Sequence, residues 1–99
     1  MKSITTGELA DKLRKNENIR IIDVREDYEV ANGKIPGAIH IPLMGLPEHL
    51  DQLNKNEHYY LVCHSGARSA TACTYLEQAG FDVTNVEGGM MSWFGELEY

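Results

Sequence analysis

Short β-branched or aromatic runs alternate along this chain with stretches of helical period, and that alternation predicts its elements. Ile4-Thr5-Thr6-Gly7-Glu8-Leu9 reads as a helix start. Thr5 stands at the N-cap, Glu8 follows three residues later as in a capping box, and Ile4 with Leu9 forms a hydrophobic staple. The helix carries Leu9, Ala10 and Leu13 on one face and ends among Lys15, Asn16 and Asn18. Ile19 to Val24 reads as a buried strand, with Asp23, Arg25 and Glu26 at its carboxyl end. Asp27 to Asn32 predicts a short helix with Tyr28 and Ala31 or Val30 turned inward and Gly33 as its stop. Ile35 to Ala38 is a turn, and Ile39-His40-Ile41 a brief strand closed by Pro42. Pro47 takes the first position of a helix from Glu48 to Leu53, whose apolar stripe is Leu46, Leu50 and Leu53.

The second half repeats the alternation. Tyr59 to Val62 is an apolar strand, and a helix from roughly Ser69 to Ala79 stops at Gly80. Phe81 to Val86 alternates apolar and polar residues, which predicts a strand with one exposed face or an edge strand. Gly88-Gly89 then turns the chain into a last helix from about Met90, carrying Met91, Trp93, Phe94 and Leu97. Strands and helices alternating at these intervals predict an α/β fold. Its mostly parallel central sheet has four to five short strands and helices on both faces.

Composition narrows the class without changing this picture. The 99 residues predict a single domain spanning 1–99. A formal net charge of -6 argues against nucleic acid, which calls for clustered Lys and Arg. No apolar run approaches the roughly 20 residues that cross a bilayer. Met1-Lys2-Ser3 leads into a capped helix without the apolar core of a secretory signal, so the expected location is cytoplasmic. The two cysteines are then expected as reduced thiols. His40, His49 and His58 lack Cys, Asp or Glu at metal-ligand spacing, so neither a metal nor another cofactor is expected.

The chemistry gathers where the strand ending at Val62 meets the next helix. Cys63 stands at the carboxyl end of that strand, where open α/β sheets place ligands. The helix beyond the loop presents unpaired N–H groups and a partial positive charge. Gly66 lets the loop turn tightly, and Arg68 brings a permanent charge able to pair with an oxyanion. Cysteines in such surroundings have pKa values of roughly 3.5–7.5, against about 8.5 for a free thiol. These residues point to a thiolate nucleophile at Cys63. Cys73 falls where the helix buries it with Ala72 and Leu76, and packing is its expected role.

With these motifs in view, the chain resembles the rhodanese family, sulfurtransferases that carry sulfur as a cysteine persulfide. Ile22-Asp23-Val24-Arg25-Glu26 resembles the family's Asp-Val-Arg segment. Gly33-Lys34-Ile35-Pro36-Gly37-Ala38 resembles its Gly-His-Ile-Pro-Gly-Ala motif, with Lys34 where His is usual. Cys63-His64-Ser65-Gly66-Ala67-Arg68-Ser69 is similar to the family's loop, and Val86-Glu87-Gly88-Gly89 with Trp93 to its closing motif. The resemblance implies that Cys63 attacks a small anionic sulfur donor, thiosulfate or a low-molecular-weight persulfide. His64, Ser65, Gly66, Ala67 and Arg68 would bind the transferred sulfur through the loop. The acceptor would be cyanide or a thiol, the latter a small molecule or a thioredoxin-like protein.

Asp23 is expected to steady the loop by accepting hydrogen bonds from its N–H groups or from Arg68. Arg25 either lines the entrance and attracts anionic donors or is a solvated surface residue. Two alternatives accompany this reading: a non-catalytic interaction module of the same fold, and a phosphatase or arsenate-reductase relative. Phosphatases of the fold family separate Cys and Arg by one residue more than the four found here, which disfavours the second.

Overall fold

A computed structural model describes residues 1–99. Five strands form one all-parallel sheet in the order β1-β5-β4-β2-β3. They are β1 (Lys2–Thr5), β2 (Arg20–Asp23), β3 (Ile39–His40), β4 (His58–Val62) and β5 (Asp82–Glu87). The helices are α1 (Thr6–Arg14), α2 (Asp27–Val30) and α3 (Ala67–Gln78), with 3-10 segments at Leu43–Gln52 and Met90–Ser92. No helix is long and apolar enough to cross a membrane.

Successive side chains of a strand point to opposite faces, and here that period divides the buried residues between two cores. Ile22, Val24, Tyr59, Leu61 and Val83 pack with Ala72, Cys73 and Leu76 of α3, with Leu46 of the 3-10 segment and with Leu53 just beyond it. Ile21, Val62 and Val86 pack on the other face with Leu9 of α1 and with Ile35 and Ala38. Both faces are therefore covered, as parallel sheets require.

Several local expectations change. The capping box is present, with Glu8 N donating to Thr5 Oγ1 at 3.1 Å and Thr5 N to Glu8 Oε1 at 2.9 Å. Yet Lys2–Thr5 is also an edge strand parallel to β5, and Ile4 packs on the second core. Since β1 takes the edge, β5 lies inside the sheet, and its Thr84 and Asn85 are buried. The expectation of an edge or one-sided strand there is overturned. Thr84 Oγ1 meets His58 Nε2 at 2.7 Å and Asn85 Nδ2 donates to Gly66 O at 3.3 Å, while Asn85 Oδ1 is buried without a partner.

The helix at Asp27 is a single turn and Tyr28 points to solvent, 75% exposed, while Ala31 is exposed and Val30 half-buried. The Glu48–Leu53 helix is instead a longer 3-10 segment that begins at Leu43 and holds Pro47 within it. Tighter winding tolerates a missing amide better than a long α-helix does. The last helix does not form beyond Ser92. Trp93 is extended, Phe94 is 95% exposed, and the chain runs on to an antiparallel bridge between Glu98 and Lys34.

Candidate active site

The strand order places a switch point between β4 and β2: the chain leaves β2 toward β3 at one edge and β4 toward β5 on the other side. Cys63 follows β4 directly at this crevice, and Asp23 ends β2 beside it, opposite Val62.

α3 begins one turn after the thiol, two residues earlier than the periodicity suggested. Its N-cap is Gly66 at φ 108°, left-handed backbone that glycine adopts without strain and that supplies no capping side chain. Cys63 fills the vacancy. Ser69 N, in the third helical position, donates to Cys63 Sγ at 3.3 Å, and Gly66 N donates at 3.1 Å. Ser69 Oγ lies 3.3 Å from the same sulfur. The sulfur thus occupies the place of a capping oxygen, where negative charge is favoured. Burial pushes the Cys63 thiol up, but the Ser69 hydroxyl and the N–H groups of Ser69, Gly66 and Ser65 outweigh it and hold the pKa below its usual value.

The loop's shape is imposed from beneath. Met90 N donates to Cys63 O at 2.8 Å and Met91 N to His64 O at 3.0 Å. In trans peptide units, carbonyls drawn that way turn the N–H groups of His64 and Ser65 to the opposite side. The segment passes so close that a Cβ on Gly89 would lie 2.4 Å from Cys63 O and 2.5 Å from His64 O, both backbone atoms. Gly66 O is held in turn by Ala70 N at 3.1 Å and by Asn85 Nδ2 at 3.3 Å.

The charged residues pair differently from expectation. Asp23 takes no hydrogen bond from the Cys63 loop or from Arg68. Its carboxylate accepts from Arg25 N and Nε at 3.0 Å and from Nη2 at 2.9 Å. Arg25 is buried and also donates to Gly33 O at 2.9 Å, so it is not a solvated surface residue; it does line the cavity beside the loop, with its charge paired to Asp23. Two residues apart on one turn, the pair satisfies itself and ties the end of β2 to the chain beyond α2.

Arg68 is engaged as well. Its Nη1 and Nη2 donate to Glu29 Oε1 and Oε2 at 2.6 and 2.7 Å, a bidentate fork. The Arg68 guanidinium holds the Glu29 carboxyl down to about 2. The carboxylate raises the pKa of Arg68 further, and so does the nearby Cys63 charge. His64 and Ser65 are exposed at the mouth, as is Ala67. Beside the loop lies an open cavity of about 440 Å³, walled by Tyr28, Glu29, His64, Met90, Met91 and Trp93.

The structure therefore gathers Cys63, the loop amides and Arg68 in one place and assigns Asp23 and Arg25 to each other. Ser69, Glu29 and Asn85 join the site without having been singled out from sequence. Ser69 carried a usable signal, a hydroxyl in the first turn of a helix whose N-cap is glycine.

A model of the rhodanese-like domain matches residues 5–96. The chain belongs to the rhodanese-like domain family. Among solved structures, a rhodanese-like domain protein from Staphylococcus aureus superposes with a TM-score of 0.94 at 52% identity, covering 99% of this chain and 97% of that one. The Bacillus subtilis protein YtwF, named as a sulfurtransferase, is 48% identical over 99% of this chain and 95% of its own. GlpE of Pseudomonas putida, named a thiosulfate sulfurtransferase, is 34% identical over 87% of this chain and 79% of its own. In this rhodanese-like domain the capped sulfur accepts hydrogen bonds from the backbone of Gly66 and Ser69.

Proposed function

We propose that the protein is a sulfurtransferase that carries one sulfane sulfur on Cys63. The observation that supports this most directly is the sulfur of Cys63 serving as the N-cap of α3, with three donors of Gly66 and Ser69 around it. Donors that favour the thiolate lessen the need for a separate base. In the first half-reaction the Cys63 thiolate attacks the outer sulfur of the donor. The new S–S bond forms as the bond to the leaving group breaks; with thiosulfate, sulfite departs with the electron pair.

The product is a Cys63 persulfide anion, whose terminal sulfur the N–H groups of the loop from His64 to Arg68 would receive. In the second half-reaction a thiol or cyanide attacks the terminal sulfur, and the Cys63 thiolate leaves with the pair. With cyanide the products are thiocyanate and free enzyme, so charge and atoms balance. Donor and acceptor occupy the same site in turn, which predicts ping-pong kinetics.

Intact-mass analysis after exposure to thiosulfate or an organic persulfide tests the reading. The expected result is a gain of one sulfur on Cys63 that cyanide removes. Cys63→Ser is expected to lose transfer by about a thousandfold or more while keeping its fold. Retained transfer, or a sulfur found elsewhere, would sink the assignment.

A further inference from the structure

The charge at the mouth of the site is arranged against the simplest donor. Arg25, Lys34 and Arg68 are the basic side chains on the segments around the cavity, and each faces a carboxylate: Asp23, Glu98 and Glu29. Lys2 and Arg20 sit at the other end of the sheet, paired with Asp82 and Glu57. A chain of net charge -6 thus offers an approaching dianion no unpaired side-chain cation here. Half of the cavity wall is carbon, Tyr28, Met90, Met91, Trp93 and Leu97, and its one lysine or arginine, Arg25, is already paired with Asp23. Tyr28 and Met91 are well exposed on this wall, 75% and 62%, with surface left for an apolar group to cover.

Glu29 is the hinge of this arrangement. Its fork occupies the Nη1–Nη2 edge of the Arg68 guanidinium, which would otherwise be open to receive an oxyanion bidentately. Removing its charge would leave the guanidinium at the second position of α3 without a carboxylate partner.

We propose that Glu29 is a specificity-determining residue: by occupying Arg68 it selects donors whose sulfane sulfur is borne on an apolar organic group over the thiosulfate dianion. The inference rests on the sulfur-transfer reading and names the donor class for that same site. In either case Cys63 gains the sulfur, and the leaving group departs with the electron pair, an organic sulfinate or thiolate in one case and sulfite in the other.

The test compares thiosulfate with benzenethiosulfonate, a monoanion that delivers the same sulfur from an aryl group, with cyanide as the common acceptor. Glu29→Gln is expected to shift the ratio of kcat/KM values toward thiosulfate by about tenfold or more, mainly through KM. Adding Arg68→Ala to Glu29→Gln should reverse the shift. In the native chain, kcat/KM for thiosulfate should change less than about twofold with added salt, since no unpaired cation draws the donor in.

A ratio unmoved by Glu29→Gln would overturn the proposal, as would a shift that survives Arg68→Ala. Should Glu29→Gln fail to fold, a steep fall with salt in the native chain would overturn it, and a flat response would support it. Sulfur appearing on native Cys63 with the ratio unmoved sinks the role of Glu29 alone. Sulfur never appearing from either donor sinks the transfer reading as well.

Discussion

Cys63 and Cys73 are both buried, both reduced, and ten positions apart on one strand-loop-helix unit. Their surroundings push them in opposite directions. Burial raises the Cys73 thiol to about 12, with Glu77 adding to the effect. Burial also penalises the Cys63 thiolate, yet its net shift is downward. The difference is the supply of donors. Cys73 lies inside α3, where each backbone N–H is spent on the carbonyl four residues back. Cys63 lies off the first turn, where the N–H groups have no such partner. Being buried does not make a thiol inert; lacking donors does.

The sharpest way to break this comparison is selective alkylation. A thiol with a pKa near 12 is ionised at neutral pH to about one part in 10⁵. Iodoacetamide at pH 7 should therefore modify Cys63 faster than Cys73 by about a thousandfold or more. Trypsin cuts after Arg68, so the two thiols fall in separate peptides and mass spectrometry reads both. Similar rates would dissolve the distinction.

A smaller effect isolates one donor. Ser69→Ala removes the hydroxyl beside Cys63 Sγ but keeps the amide. A hydrogen bond to a charged group is worth about 1.5–3 kcal/mol, so the pH midpoint of Cys63 alkylation should rise by about one to two units. The sign follows from which form is stabilised: the donor favours the thiolate, and its loss raises the pKa. An unmoved midpoint would assign the effect to the backbone alone.

The smallest effect sharpens the contrast in acid. Glu29 has its pKa held down to about 2 from an ordinary 4.5, so its pairing with Arg68 contributes stability fully above about 4.5. That contribution is lost as the pH falls toward 2. Both side chains are partly exposed, which keeps it modest. Hydrogen exchange should consequently rise first around α2 and the Cys63 loop as the pH is lowered through this window. The middle of α3 around Cys73 has no such pair and should stay protected. Simultaneous loss of protection would show that Glu29 stabilises the whole domain evenly.

Much of this was legible beforehand because local chemistry decides it. The Thr5–Glu8 box, the strand before Cys63 and the helix after Gly66 follow from spacing and backbone preference. What escaped depends on partners far along the chain. Lys2–Thr5 shows one inward apolar residue, too little for a period-two signal, and Thr5 both ends that strand and caps the helix. Met91, Trp93 and Phe94 suggested a helix, but only Met90–Ser92 winds before the chain extends toward Lys34. Pairing among Asp23, Arg25, Glu29 and Arg68 was equally hidden. Two carboxylates and two guanidiniums meet at the end of the sheet, and only the turn geometry after β2 decides which takes which.

The register of β1 against β5, with Lys2 opposite Thr84, has a consequence for how the molecule comes to exist. The first strand finds its partner only in the last one, so neither that edge nor the cover it gives the second core can assemble from neighbouring segments. Parallel pairing across such separation closes a long loop before any contact rewards it. The shape of the Cys63 loop shares the delay, because Met90 and Met91 lie just beyond β5 and their amides fix the Cys63 and His64 carbonyls. The hydrogen bonds that fix the loop carbonyls therefore depend on the last segment of the chain, while the donors to the sulfur itself are local.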